Sequence, residues 1–136
     1  MALEATLIVE TELPVSFPCA DGTAIPKGTF VKIADANTVS IAGTDDDACV
    51  GITAEEKIAN DGNTQIGVYM RGIFKCTAGN AGVTAGDWVS MDSSTGDDNE
   101  VATIGAAEVH AIGMALETAT DLETFKLWLN PCLGQP

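Results

Sequence analysis

The sequence predicts an all-β domain, and three observations carry that prediction. Valine, isoleucine and threonine supply 35 of the 136 residues, which favours pleated, half-buried backbone. Apolar runs are short and are separated by Gly, Asn and Asp turn signals. The N-terminal segment alternates with a period of two.

That alternation runs from Leu3 to Phe17. Leu3, Ala5, Leu7, Val9, Leu13, Val15 and Phe17 occupy odd positions, while Glu4, Thr6, Glu10, Glu12 and Ser16 fall between them. One buried face is implied, but the stretch is long for a single strand. Pro14 lacks an amide donor and bends the segment or places it on a sheet edge. Residues 1–14 are therefore expected to project as an arm, with an ordinary first strand of the barrel as the alternative for residues 2–12, and residues 15–136 to form one β domain.

Further strands are expected at Phe30–Ala34, Thr38–Ala42, Ala48–Ala54, Gln65–Met70, Gly72–Thr77, Asp87–Met91, Glu100–Ile104, Val109–Leu116 and Glu123–Leu129. The turns between them include Ala20-Asp21-Gly22, Asp35-Ala36-Asn37, Asp61-Gly62-Asn63, Ala78-Gly79-Asn80 and Ser93-Ser94-Thr95-Gly96. Thr53-Ala54-Glu55-Glu56 has capping-box form, compatible with one helical turn through Ile58.

A weak internal repeat organises these elements. Gly28-Thr29-Phe30-Val31 matches Gly86-Asp87-Trp88-Val89 at a displacement of 58 residues, and Val50-Gly51-Ile52 matches Ile112-Gly113-Met114 at 62, with Glu55 against Glu117. Ile66, Val68 and Met70 align with Phe125, Leu127 and Leu129 at 59. Two related halves, about 25–76 and 83–131, follow. Neither half readily buries an open sheet face alone, so the pair is expected to pack or close into one small barrel or sandwich.

Composition narrows the function. Twenty acidic residues against six basic ones give a net charge of −14, which opposes nucleic-acid binding by phosphate neutralisation. The basic residues form no stripe. No apolar run reaches the ~18 residues of a membrane span, and no signal-peptide pattern opens the chain. A soluble chain made inside the cell is expected. Cys19, Cys49, Cys76 and Cys132 lack metal-ligand spacing and read as free thiols in the core.

The residues offer little for catalysis. His110 is the one histidine and sits in a strand-like run, so it reads as structural. Asp45-Asp46-Asp47 and Asp97-Asp98 read as solvated turn charges. The segment Asp92 to Glu100 fails the calcium-loop pattern, because Gly96 holds the fifth place rather than the sixth. Gly79-Asn80-Ala81-Gly82 lacks the context of a phosphate loop, and Gly22–Ile33 lacks the modifiable lysine of a carrier hairpin. No cofactor, metal or catalytic residue is assigned. Surfaces remain, and an alternating N-terminal segment is suited to adding a strand to a partner's sheet edge. Its apolar residues Leu3, Ala5, Leu7, Ile8, Val9 and Leu13 are the candidate contacts. A second reading is a β domain that binds a carbohydrate or small molecule by stacking on Trp88, Trp128 and Tyr69.

Several segments resemble the small capsid cement, or head decoration, proteins of tailed phages. They are Glu4-Ala5-Thr6, Ala20 to Thr29, Val50 to Lys57, Ile66 to Tyr69, Ala85-Gly86-Asp87 and Ile112 to Glu117, and their order and spacing carry the likeness. The resemblance implies a non-enzymatic, barrel or tulip-like β domain on the outer surface of the virion head, made in the host cytoplasm. It implies attachment to the major capsid protein, commonly as a homotrimer at local threefold positions, with an N-terminal arm engaging the shell. Three such chains gather three times −14, about −42 formal charge, so their interfaces are expected to be apolar or backbone-mediated.

Overall fold

The short β-branched runs become strands in the computed structural model, which describes residues 3–44, 46–92, 99–105 and 109–131. In chain order these are β1 (Thr6–Val9), β2 (Val15–Pro18), β3 (Phe30–Asp35), β4 (Thr38–Ile41), β5 (Cys49–Thr53) and β6 (Gln65–Tyr69). The second half adds β7 (Gly72–Ala78), β8 (Trp88–Met91), β9 (Glu100–Thr103), β10 (Gly113–Ala115) and β11 (Thr124–Leu129). No helix occurs among the described residues. The turn at 93–96, the acid pair Asp97-Asp98, Asp45 and Cys132 lie outside them.

Each half closes on itself. Strands β2-β6-β5-β3-β4 form the first sheet, whose edges are joined by a parallel bridge from Cys19, just beyond β2, to Val39 of β4. Strands β7-β11-β10-β8-β9 form the second, closed into a five-stranded barrel by parallel pairing of Thr77 with Glu100 and Ala78 with Val101. We call these the first and second barrels. Closure removes the open edges on which strands of other molecules pair.

The repeat is written in equivalent hydrogen bonds. Ile25 and Lys57 exchange backbone bonds at 2.9 and 2.8 Å, as Val83 and Ala119 do at 2.9 and 3.1 Å. Gly28 N donates to Thr53 O, and Gly86 N to Ala115 O. Both glycines have positive φ, 76° and 91°, where a side chain is strained. Glu55 accepts the amide of Gly67 at 3.1 Å, and Glu117 that of Lys126 at 3.0 Å. This use of Glu55 explains why no helical turn follows Thr53: the carboxylate reaches across the sheet, and Lys57 is committed to Ile25. Gly51 and Gly113 complete the match, since a Cβ at either would lie 2.1 Å from the carbonyl oxygen of Tyr69 or Trp128.

Two expectations need correction. The stretch 109–116 is not one long strand, because the amides of Val109 and His110 donate to the Asp46 carboxylate instead of a ladder. Nor do the described residues of the expected arm, 3–14, project; the alternative of an ordinary strand holds for part of them. Strand β1 pairs antiparallel with β7 at Ile73–Lys75, on the edge that β9 takes farther along at Thr77–Ala78. After β1 the chain crosses to the first barrel, and Pro14 immediately precedes β2, which pairs with β6. One periodic stretch thus serves two sheets.

The barrels share a core. The inner face of the second barrel, including Phe74, Cys76, Met91, Ile112, Phe125 and Leu127, clusters with Phe30, Ala42, Cys49 and Ile52 from the first. Phe30 and Ile52 are fully buried, each worth about 1.5–3 kcal/mol of transfer free energy. A smaller cluster of Cys19, Ile25, Val31, Val39, Ile66 and Val68 fills the first barrel.

Asn99 ties the assembly with one buried carboxamide. Its Oδ1 accepts the amide of Phe30 at 2.8 Å, while Nδ2 donates to Gly28 O at 2.8 Å and to Leu3 O. A second polar fixture closes one end of the first barrel. The fully buried Lys57 Nζ donates to the carboxylates of Asp21 at 2.9 Å and Asp61 at 2.7 Å, and to the carbonyls of Asp21 and Ile58. Burial is the largest influence on this ammonium and opposes its charge. The bonds and charges of Asp61 and Asp21 outweigh it and hold the pKa above the ordinary 10.5. The bond from Lys57 is likewise the main reason Asp61 titrates below 3.8.

Asn99→Ala strands the buried Phe30 amide and removes a bond from Leu3 O and from Gly28 O, which keeps the Ala5 amide, and should lower stability by about 1–3 kcal/mol in urea denaturation. Gly51→Ala or Gly113→Ala should cost about 1–3 kcal/mol or more through overpacking, whereas Gly22→Ala, with its nearest atom 3.8 Å away, should stay within about 0.5 kcal/mol. The lysine cage also sets a pH profile. Depression of the Asp61 pKa contributes stability above 3.8 that disappears as pH falls through the folded value. Elevation of the Lys57 pKa contributes stability below 10.5 that disappears as pH rises through its folded value. Lys57→Met should therefore flatten part of the acid limb of a stability-versus-pH curve; an unchanged slope would refute the coupling.

Candidate functional site

The candidate contacts at the N-terminus divide by a bulge. Thr6 faces Lys75 and Leu7 faces Phe74, but Val9 faces Ile73, so one extra residue enters between Leu7 and Val9. Before the bulge, Ala5 is buried and Leu7 packs on the shared core. The bulge residue Ile8 is 44% exposed, and beyond it Val9 is 45% and Leu13 75% exposed; Leu3, ahead of the strand, is 38% exposed. Alternation therefore marked Ala5 and Leu7 correctly as one face, but that face is turned into the protein. Leu3, Ile8, Val9 and Leu13 are the ones a partner can reach. Among the described residues strand β1 pairs with β7 alone, so its outer edge carries no further strand there.

The expected aromatic trio is split. Trp88 pairs with Met114, Met114 with Trp128, Trp128 with Ile73, and Ile73 with Val9. Directly opposed residues share a sheet face, so these side chains form a continuous apolar row across the outside of the second barrel. Tyr69 is not part of it. Its ring meets Phe74 edge-on at 5.7 Å and its hydroxyl donates to Glu10 at 3.0 Å. The row crosses the outer, convex side of a barrel, which encloses no ligand. It was missed in the sequence because its members come from five strands.

Titratable groups with catalytic potential are occupied structurally. His110 Nδ1 lies 3.0 Å from Asp46 O, and the Asp46 carboxylate accepts the amides of Val109 and His110. Desolvation raises the Asp46 pKa, but these hydrogen bonds prevail and lower it. Asp47 holds Lys32 at 3.3 Å and accepts the Thr44 amide at 2.8 Å. The two described members of that acid run are thus loop braces rather than free charges. Cys19, Cys49 and Cys76 are free and buried; burial pushes the Cys49 thiol up to about 12. No group of three metal-ligating side chains occurs among the described residues. No helix there is long and apolar enough to cross a membrane.

A repeated β-barrel whose polar groups brace its own loops, and whose accessible apolar residues lie on open sheet surface, has the make-up of a structural binding module. The comparisons give that class a place. The pattern of the phage cement protein family matches residues 9–128, and the chain belongs to that family. Its role is that of a capsid-associated structural protein, a component of the phage head. Among solved structures, the N base of the head fiber gp8.5 of bacteriophage phi29 is similar, with a TM-score of 0.56 and 14% identity over 90% of this chain and 98% of that one. At that identity the likeness concerns the fold. No curated protein matches the chain. The family match begins at Val9, so Leu3, Ala5, Leu7 and Ile8 lie ahead of it.

Proposed function

We propose that this protein decorates the outer surface of the assembled phage head and stabilises it by bridging subunits of the major capsid protein. The observation that carries this reading is the cement-family match over 9–128. The exposed Leu3, Ile8, Val9 and Leu13, beside the open edge of β1, are the proposed contacts. An edge strand offers backbone hydrogen bonds to a capsid strand, and the apolar side chains add area and register. Ala5 and Leu7 anchor the segment to the core instead of meeting the partner.

A homotrimer would present three such edges. Linked sites raise the effective concentration of the second and third contacts, so individually weak contacts sum to tight attachment. Binding the assembled shell in preference to free subunits stabilises the shell by mass action. With a net charge of −14, attachment draws on apolar and backbone contacts rather than on an excess of positive charge.

Co-sedimentation with purified empty heads tests this. Wild-type protein should pellet with heads and raise their resistance to heat and osmotic shock. Ile8→Glu combined with Leu13→Glu should weaken attachment by about tenfold or more while the circular dichroism stays that of a β protein. Heads equally fragile with and without the protein would end the proposal. Deleting residues 2–12 is a poorer test, since it removes buried Ala5 and its bond to Gly28 O.

A further inference from the structure

The repeat says what should cover the apolar row of the second barrel. In the first barrel, Phe30, Ile52 and Tyr69 form a row across β3, β5 and β6. Phe30 and Ile52 are fully buried and Tyr69 packs beside them, because the second barrel lies over the row. At displacements of 58, 62 and 59 residues, the same three positions in the second barrel are Trp88, Met114 and Trp128, across β8, β10 and β11. These are as large and apolar as their counterparts. Yet Trp128 is 38% exposed, and Trp88 and Met114 are partly so. One copy of the row has a barrel over it and the other has none.

Charge beside the row bears on what its partner can be. Lys75 and Lys126 stand directly opposite each other on the outer faces of β7 and β11. Both are exposed, and neither forms an ion pair among the described residues. They are two of only six basic residues in a chain with 20 acidic ones. Like charges placed opposite one another destabilise a sheet unless something acidic meets them.

We propose that the Trp88–Met114–Trp128 row, flanked by Lys75 and Lys126, is a self-association face that docks on a second copy of this chain. The acidic surface of that copy answers the lysine pair, and the apolar row gains the cover its counterpart has within the chain. Two such faces meeting each other would bring four lysines together, so the contact is heterologous, one copy's face against a different surface of the next. Heterologous contacts build rings when the rotation closes. This deepens the homotrimer part of the function proposed above and rests on it.

The chain's only two tryptophans are both in the row, so their fluorescence reports on it directly. Sedimentation velocity and acrylamide quenching across a wide concentration range should show oligomers whose tryptophans become shielded as they form. Met114→Glu and Trp128→Glu should each raise the concentration needed for association by at least about tenfold. Leu122→Glu, at a residue 63% exposed elsewhere, should leave it unchanged. A chain that stays monomeric, or oligomers with fully quenchable tryptophans, would overturn the proposal without recourse to any variant. So would shielding seen only on heads, which would assign the row to the capsid. Head co-sedimentation run in parallel separates the two readings: Met114→Glu protein that no longer self-associates but still pellets weakly upholds both, while wild type that associates but never pellets refutes only attachment to the head.

Discussion

One carboxamide holds three parts of this molecule in place. Asn99 stands just before β9, with its backbone at a φ of 63° that asparagine tolerates better than most residues. From there it binds the amide of Phe30 and the carbonyls of Gly28 and Leu3. The N-terminal segment, the leading hairpin of the first barrel and the closing strand of the second barrel meet at its side chain. The Phe30 amide has this one partner, whereas Gly28 O also accepts the amide of Ala5 at 2.8 Å, so the carboxamide reinforces a contact between the N-terminal segment and the first barrel. The carboxamide also supplies both donors and an acceptor from one planar group, which an aspartate or a hydroxyl would not. Placement of β1, and with it of Ile8, Val9 and the open sheet edge, depends on this junction.

The two halves share a plan but not a fate. Matching glycines, matching carboxylate bonds from Glu55 and Glu117, and matching bridges at Ile25–Lys57 and Val83–Ala119 define one unit used twice. The differences are where function enters. The lysine cage at Lys57 has alanine, Ala119, in its place in the second half, so only the first barrel carries that buried charge. The row Phe30–Ile52–Tyr69 is covered within the chain, and its counterpart is not. A duplicated unit inherits the same surface twice, and packing one copy against the other can satisfy only one of the two.

The charge of the chain fits this arrangement. The described acids near the first barrel's loops work as braces: Asp46 collects the amides of Val109 and His110, and Asp47 anchors Lys32. Much of the remaining excess is exposed and opposes contact between like-charged surfaces. Apolar rows and open strand edges are then left to provide adhesion, since neither is opposed by that repulsion as strongly as a charged patch would be.

Local patterning determined a good part of this protein in advance. Period-two runs and turn residues placed the strands from Phe30 to Met91 and from Glu123 to Leu129 within a residue or two, because each depends on nearby φ/ψ preferences and on one buried face. The repeat was legible for the same reason, since glycines forced by close backbone approach cannot drift. Tertiary structure decided the rest. That Leu3–Phe17 serves two sheets, that a bulge turns Val9 outward, and that Ala5 is core follow from pairing with β7, about 70 residues away, which no local pattern records. The tryptophan row was hidden likewise. A surface assembled from one or two residues of each of five strands has no period along the chain, and becomes a feature only when barrel closure sets those strands side by side.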